Sequence, residues 1–126
     1  MATTERAVVE QFVAALAARD RWAAMALYTP DAVFEAHVPG WDPVVEGPDE
    51  IGELLDGFFI ERDDFRVGRS EIVADGPLAA LNFDLQWRAA EDGAPCLCFQ
   101  SHAFAVEAGQ IRLHRMYCAG VRVFRD

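Results

Sequence analysis

The hydrophobic pattern changes its period near the middle of this 126-residue chain, and this change constrains the fold more than any other feature. Before the change, apolar residues recur every three or four positions, which is the spacing of helices with one buried stripe. After it, apolar and polar residues alternate, which is the pattern of strands with one buried face. A chain of this length fits one domain, so residues 1–126 are expected to form a single α+β unit.

The first half of the chain predicts three helices and one strand. The spacing of apolar residues predicts a first helix over Val8 to Ala17. Asp20 caps a second, short helix that ends before Pro30, because proline disfavours helical geometry in the residue before it. Alternation predicts a strand over Ala32 to Val38, and Pro48 suits the first position of a third helix. The helices therefore precede the main part of the sheet.

The second half predicts four strands joined by tight turns. The strands are expected over Phe65 to Ala74, Leu78 to Arg88, Pro95 to Glu107 and Gln110 to Phe124. Glycine and aspartate mark the turns between them. Such a meander forms a strongly curved antiparallel or mixed sheet, and three helices cover its concave face only partly. We therefore expect an α+β cone with an internal pocket.

The charge of the chain limits its partners. The formal net charge is −10, so phosphate backbones and anionic membranes are repelled. The apolar runs are too short to span a bilayer, and the first residues lack the basic start and apolar stretch of a signal peptide. We expect a cytoplasmic protein that binds neither nucleic acid nor membranes.

The cysteines give little sign of a metal or a cofactor. They are Cys96, Cys98 and Cys118, an odd number that argues against a disulfide framework. Cys96 and Cys98 share one face of their strand and are interpreted as reduced, buried thiols. The sequence contains neither a familiar metal-ligand spacing nor a phosphate-binding glycine loop. We expect no metal and no cofactor.

Four short segments carry a resemblance to a known family. They are Val9 to Leu16, Ala26 to Phe34, Gly47 to Ile51 and Tyr117 to Gly120. In this order and spacing, the chain resembles the SnoaL-like branch of the nuclear-transport-factor-2-like superfamily over essentially its whole length. The resemblance implies the cone fold and a homodimer formed through the outer sheet face. That fold hosts isomerases, dehydratases, polyketide cyclases, epoxide hydrolases and non-catalytic binders, so the function depends on the site.

Ketosteroid isomerase, which has this fold, carries three polar residues that this chain lacks. The resemblance places Phe12, Ala36 and His102 where that family has a tyrosine, a general-base aspartate and an aspartic acid. Phe12 and Ala36 can neither donate nor accept a proton. Ketosteroid isomerase chemistry is therefore not expected, but the comparison implies which strand faces look inward.

The inward register implied by this resemblance brings three candidate catalytic residues onto adjacent strands. His102 is suited to acid/base chemistry near neutral pH. Arg115 and Tyr117, on the last strand, can polarise or anchor a substrate carbonyl. In the alternative interpretation, Arg115 pairs with a carboxylate such as Glu35 or Asp84, and His102 donates to a backbone carbonyl. A slip of one residue would turn the side chains of these strands to the other face.

Six further residues are candidates for substrate binding, although aromatic residues at such positions are more often plain core. They are Phe12, Trp22, Tyr28, Trp41, Phe58 and Gln100. Trp41 lies in a loop rich in glycine and proline, where it could form a lid or a subunit contact. His37 is expected at the surface or at an interface, and it would turn toward the pocket only through a bulge before Pro39. His114 is expected at the surface.

Three functions remain open. The first is a cofactor-independent enzyme of the SnoaL-like type that performs cyclisation, isomerisation or dehydration on a hydrophobic, carbonyl-bearing substrate. The second is a non-catalytic protein of the same fold that binds a small hydrophobic molecule. The third is a structural dimerisation module, whose pocket would be filled by its own side chains. An open cavity with converging polar groups would favour the first two.

Overall fold

The computed structural model describes residues 4–125, which form three α-helices, a π-helical turn and a six-stranded sheet. The helices α1, α2 and α3 span Glu5–Ala17, Arg21–Met25 and Pro48–Leu55, and the π-helical turn spans Asp56–Ile60. The strands β1 to β6 span Tyr28–His37, Val44–Glu46, Asp63–Asp75, Leu78–Arg88, Pro95–Glu107 and Gln110–Val123. Their order in the sheet is β2-β1-β6-β5-β4-β3, with β1 and β6 parallel and the other neighbours antiparallel. The sheet is mixed and open, with β2 and β3 at its edges.

The predicted α+β architecture is confirmed, and β4 and β5 have the predicted bounds. Two details differ. β1 begins at Tyr28, which is earlier than predicted. Pro30 does not end the strand, because it lies where the pairing of β1 with β6 is interrupted, and proline is tolerated at such a site. The strand β2 was not predicted, because three residues are too few to show an alternation.

The helices pack on the concave face of the sheet, where alternate residues of β4 and β5 are buried. Both inner faces are as predicted: Ala79, Leu81, Phe83, Leu85 and Trp87 on β4, and Cys96, Cys98, Gln100, His102 and Phe104 on β5. From α1, Phe12 and Leu16 complete this core and are 0% exposed. Burying each such apolar side chain stabilises the fold by roughly 1.5–3 kcal/mol. None of the helices in residues 4–125 is both long and apolar enough to cross a membrane.

The strand β6 contains one more residue than the matching part of β5. Ile111 pairs with Val106, but Leu113 pairs with Ala105, so two steps along β6 match one step along β5. A bulge of this kind shifts the alternation of side chains by one position. From Leu113 to Ala119, the side chains of β6 therefore point to the face opposite to the predicted one.

This bulge corrects the predicted inner face of the last strand. The residues that face the core are His114 and Met116, both 0% exposed, followed by Cys118. The predicted inward direction is wrong for Leu113, Arg115, Tyr117 and Ala119. The expectation that His114 lies at the surface is wrong for the same reason.

A second bulge in β6 lies at Gly120. Gln100 pairs with Cys118 whereas Cys98 pairs with Val121, so β6 again has one more residue than β5. Gly120 has a φ of +101°, a backbone conformation that favours glycine. The bulge brings Cys118 beside Cys98 on the inner face.

We expect Gly120→Ala to lower the free energy of unfolding by about 1–2 kcal/mol, because a β-carbon is strained at this positive φ. Space is not the cause, since the nearest neighbour, Cγ of Pro39, lies 3.6 Å from the position of an added β-carbon. Urea denaturation would measure the loss. Gly57→Ala is the matched control, because its added β-carbon meets no atom within 4 Å. A Gly120→Ala protein as stable as the wild type would contradict the role given to this bulge.

Candidate functional site

A cavity of about 610 Å³ lies between the C-terminal end of α3, the segment after β1 and the inner face of β4 to β6. Its walls are mainly apolar: Val38, Pro39, Trp41, Leu54, Gly57, Phe58, Leu85, Trp87, Gly120 and Val121. Its polar lining consists of Glu53, Arg62, Cys98, Gln100 and Cys118. Small-molecule sites have volumes of about 300–1,000 Å³ and the same mixture of apolar walls and few polar groups. An open cavity of this kind argues against a purely structural module.

The predicted binding residues divide among the cavity, the core and the surface. Those that line the cavity are Trp41, Phe58 and Gln100. Trp41 is 52% exposed and its ring centre lies 5.7 Å from that of Phe58, so it forms part of the cavity mouth. Phe12 and Tyr28 are buried in the core and do not line the cavity. The predicted place of Trp22 in the pocket is wrong, because Trp22 lies on α2 and is 72% exposed.

Arg62 places a cation at the wall of the cavity. Its Nε donates to the carbonyl oxygen of Phe58 at 2.7 Å, and its guanidinium carbon lies 4.3 Å from the centre of the Trp87 ring. None of the ion pairs formed within residues 4–125 includes Arg62. Burial lowers the pKa of Arg62, although arginine stays protonated in proteins. A partly buried guanidinium without a carboxylate partner is suited to hold an oxygen atom of a ligand.

Behind Gln100, a chain of hydrogen bonds leads into the core. Nε2 of His102 lies 2.8 Å from Oε1 of Gln100, and Nδ1 of His102 lies 2.7 Å from Nε2 of His114. Nδ1 of His114 in turn lies 2.8 Å from the hydroxyl of Tyr28. The ring of Phe34 stacks on His114 with their centres 4.3 Å apart. The chain therefore connects β5, β6 and β1 through an aromatic core.

The hydroxyl of Tyr28 determines the direction of these hydrogen bonds. Among the described residues, its proton has no acceptor other than Nδ1 of His114. His114 therefore carries its proton on Nε2 and donates to Nδ1 of His102. Nε2 of His102 then donates to Oε1 of Gln100, which leaves the amide nitrogen of Gln100 directed toward Cys98, 3.7 Å from its Sγ. In this arrangement, every buried side-chain nitrogen and oxygen of residues 4–125 has a partner.

Both histidines are neutral near neutral pH. Burial lowers the pKa of His102 to about 3, and burial together with His102 lowers the pKa of His114 well below its usual value. Burial also raises the pKa of Tyr28 well above its usual value, so the phenol keeps its proton. Because both ring nitrogens of His102 are occupied, it orients Gln100 and is not exposed to a ligand in the cavity.

Arg115 and Tyr117 belong to a different cluster on the outer face of the sheet. Nε of Arg115 donates to Oε2 of Glu35 at 3.0 Å, which is the alternative pairing given for this arginine. The ring of Tyr117 stacks on that of His37 with their centres 5.2 Å apart. The structure therefore does not bring together His102 with Arg115 and Tyr117, because the bulge in β6 puts the sheet between them.

Sequence reasoning missed three polar residues of the cavity, which are Glu53, Arg62 and Cys118. Arg62 lies in an acidic segment after α3, and such a segment is typical of an exposed turn. The sequence therefore does not indicate that Arg62 packs against Trp87. Cys118 was missed because its direction depends on the bulges of β6. Within residues 4–125, no group of three or more histidine, cysteine, aspartate or glutamate residues is arranged to hold a metal ion.

The fold and the cavity define a class of α+β cone proteins with an internal cavity. The family model of the SnoaL-like domain matches residues 9–114, so the chain belongs to this family. No curated protein sequence matches the chain.

Solved structures with the same fold have low sequence identity to this chain. An LEH-like epoxide hydrolase from M. tuberculosis is 24% identical with a TM-score of 0.70, covering 90% of this chain and 80% of that one. The epoxide hydrolase/cyclase-like enzyme SalBIII, of pyran ring formation in the polyether salinomycin, is 17% identical with a TM-score of 0.77, covering 93% of each chain. A hypothetical protein with a ketosteroid isomerase-like fold from Catenulispora acidiphila, solved in complex with trimethylamine, is 14% identical with a TM-score of 0.77, covering 91% of this chain and 86% of that one. At these identities the likeness shows the fold alone.

We expect the free energy of unfolding to fall as the pH is lowered from about 6.5 toward 3, because unfolding releases two neutral histidines that then take up protons. Their folded pKa lies below the unfolded value, so this stability is fully present above about pH 6.5. Each histidine accounts for a loss of roughly 2 kcal/mol at pH 5. Urea denaturation at pH 7 and pH 5 would measure it, and His114→Gln should flatten the dependence. Histidine ring signals of His102 and His114 that titrate near pH 6.5 by NMR would contradict the prediction.

Proposed function

We propose that this protein binds one hydrophobic small molecule, bearing a carbonyl or carboxylate group, in the cavity at the mouth of the cone. The observation that carries the proposal is Arg62, a cation in an apolar wall without a carboxylate partner among the described residues. An oxygen-bearing ligand would supply the missing hydrogen-bond acceptor. The apolar walls would hold the rest of the ligand.

The amide of Gln100 supports the same assignment. The buried histidine chain holds Oε1 of Gln100, so its amide group presents N–H donors on the cavity side. An amide donor and a guanidinium facing the same cavity can bind two lone pairs of one carbonyl or carboxylate. Trp41 and Phe58 supply flat apolar surface near the mouth, which suits a ring-containing ligand.

Cofactor-independent acid/base catalysis, such as cyclisation, isomerisation or dehydration, is the second candidate function. One observation favours it: Arg62 and Gln100 can polarise a carbonyl, while the carboxylate of Glu53 lines the same cavity and can accept a proton. Glu53 is exposed, and it is the one carboxylate among the lining residues that the structure describes. The epoxide hydrolase and hydrolase/cyclase-like structures of the same fold are consistent with such chemistry. Binding requires fewer functional groups in the cavity than catalysis does, so we propose binding as the first function.

Arg62→Met tests the binding proposal, because methionine keeps an apolar side chain beside Trp87 and removes the charge. We expect 2-naphthoate and 2-acetonaphthone to bind the wild-type protein in calorimetric titrations. The variant should bind 2-naphthoate about 10- to 100-fold more weakly, which is the usual effect of losing a hydrogen bond to a charged group. The affinity for naphthalene, which has no oxygen, should change little.

Arg66→Met is the matched control, since Arg66 lies four residues further along the chain, on β3, but is exposed and paired with Asp64. Failure of both oxygenated probes to bind, or equal affinity of the wild type and Arg62→Met for 2-naphthoate, would contradict the proposal. Deuterium exchange into the methyl group of 2-acetonaphthone distinguishes the second function. Exchange that is accelerated by the wild type and lost in Glu53→Gln would favour catalysis, and binding without exchange would favour a binding protein.

We also propose that the protein forms a homodimer through the outer face of the sheet. Phe99 and Tyr117 are exposed there by 47% and 48%, and they line a groove of about 560 Å³. Arg69 and Glu71 lie in the same groove, so a copy related by a twofold axis would present an opposite charge to each. Exposed apolar groups flanked by both charges are typical of subunit contacts.

Phe99→Glu should convert such a dimer to a monomer, because the partner copies would bury two carboxylates against each other. Sedimentation equilibrium at micromolar concentration measures the mass. Trp22→Glu is the matched control, since Trp22 is an exposed aromatic residue on α2, away from the sheet. A wild-type protein that is monomeric, or a dimer that is insensitive to Phe99→Glu, would rule out this interface.

A further inference from the structure

Two thiols lie side by side in the cavity wall, and the proposed ligand binding does not use them. The Sγ atoms of Cys98 and Cys118 are 3.0 Å apart, and both residues are free cysteines. Cys98 lies on β5 and Cys118 on β6, where the bulge at Gly120 sets them next to each other. The sulfur atoms of a disulfide lie about 2 Å apart, so an approach of about 1 Å would join them.

The two thiols differ in exposure and in protonation. Cys98 is 1% exposed, whereas Cys118 is only partly buried. A hydrogen bond from the Cys98 thiol lowers the pKa of Cys118 to about 6, and the amide N–H of Gly120, 3.4 Å from Sγ, acts in the same direction. The hydrogen bond to Cys118, together with burial, raises the pKa of Cys98. Near neutral pH, Cys118 is therefore the accessible thiolate and Cys98 the buried thiol behind it.

We propose that Cys118 and Cys98 form a reversible redox pair that reduces an organic hydroperoxide entering the cavity. The thiolate sulfur of Cys118 attacks the terminal oxygen of the hydroperoxide, the O–O bond breaks, and the alkoxide leaves and takes up a proton to become an alcohol. Cys118 is then a sulfenic acid. The sulfur of Cys98 attacks it, the S–OH bond breaks, and the hydroxide leaves as water with the thiol proton of Cys98. The two thiols are oxidised to one disulfide, and the hydroperoxide is reduced by the same two electrons.

The lining of the cavity fits this class of oxidant. The apolar walls favour a hydroperoxide with a hydrocarbon body, while Arg62 and Gln100 can stabilise the negative charge that develops on the leaving oxygen. The third cysteine is placed differently: Sγ of Cys96 lies 3.6 Å from the carbonyl oxygen of Ala94, and Cys96 does not line this cavity. The reaction does not require the carbonyl or carboxylate ligand of the proposed function, so the two can fail independently.

The first test uses the full chain, reduced and then treated with one equivalent of cumene hydroperoxide. We expect one cumyl alcohol per chain, an intact mass lower by two hydrogen atoms, and a Cys98–Cys118 disulfide in the peptide map. Dithiothreitol should restore both thiols. Cys96→Ser is the matched control and should behave as the wild type does. This measurement needs no variant of the redox pair, so a folding defect in a variant cannot obscure it.

Two variants then separate the roles. Cys98→Ser should stop at the sulfenic acid, so that dimedone labels Cys118. Cys118→Ser should slow the consumption of hydroperoxide roughly ten- to thirty-fold, because it removes the accessible thiolate and leaves Cys98 as a buried thiol. A disulfide that contains Cys96 or joins two chains, an absence of disulfide in the wild type, or undiminished consumption by Cys118→Ser would overturn the proposal.

Discussion

The hydrogen-bond chain from Tyr28 through His114 and His102 to Gln100 joins three strands inside an apolar core. An unpaired polar group buried there would cost about 1–3 kcal/mol. One arrangement of protons satisfies every member, so the chain is buried without that loss. Each member depends on its neighbours, because the removal of one would leave the next without a partner. The four side chains therefore behave as a single structural unit.

This unit also determines what the cavity presents to a ligand. Gln100 is the member at the cavity wall, and its oxygen is held by His102, so its amide nitrogen remains on the cavity side. The position at which the resemblance to ketosteroid isomerase places an acid is thus occupied by a neutral histidine that orients a neighbour. The polar groups that line the cavity are instead the guanidinium of Arg62, the amide of Gln100, the thiols of Cys98 and Cys118, and the carboxylate of Glu53.

Membership of the SnoaL-like family accounts for the cone and leaves its chemistry open, because this fold hosts many unrelated reactions. In this chain the inner polar groups are a cation, an amide and two thiols, with a carboxylate only at the exposed position of Glu53. This set is better suited to anchoring an oxygen atom or to thiol chemistry than to proton transfer by histidine.

Much of the fold and part of the site could be predicted from local patterns. The period change gave the α+β order, the alternation of β4 and β5 gave their inner faces, and Trp41, Phe58 and Gln100 were predicted to face a pocket that they do line. The direction of β6 could not be predicted, because a bulge inserts a residue without a mark in the hydrophobic pattern. The polarity of Leu113 and His114 even favours the wrong direction, because an apolar leucine is expected to point inward and a histidine outward. His114 is buried because Tyr28, 86 residues away in the sequence, supplies its partner, and only the tertiary structure brings these two side chains together.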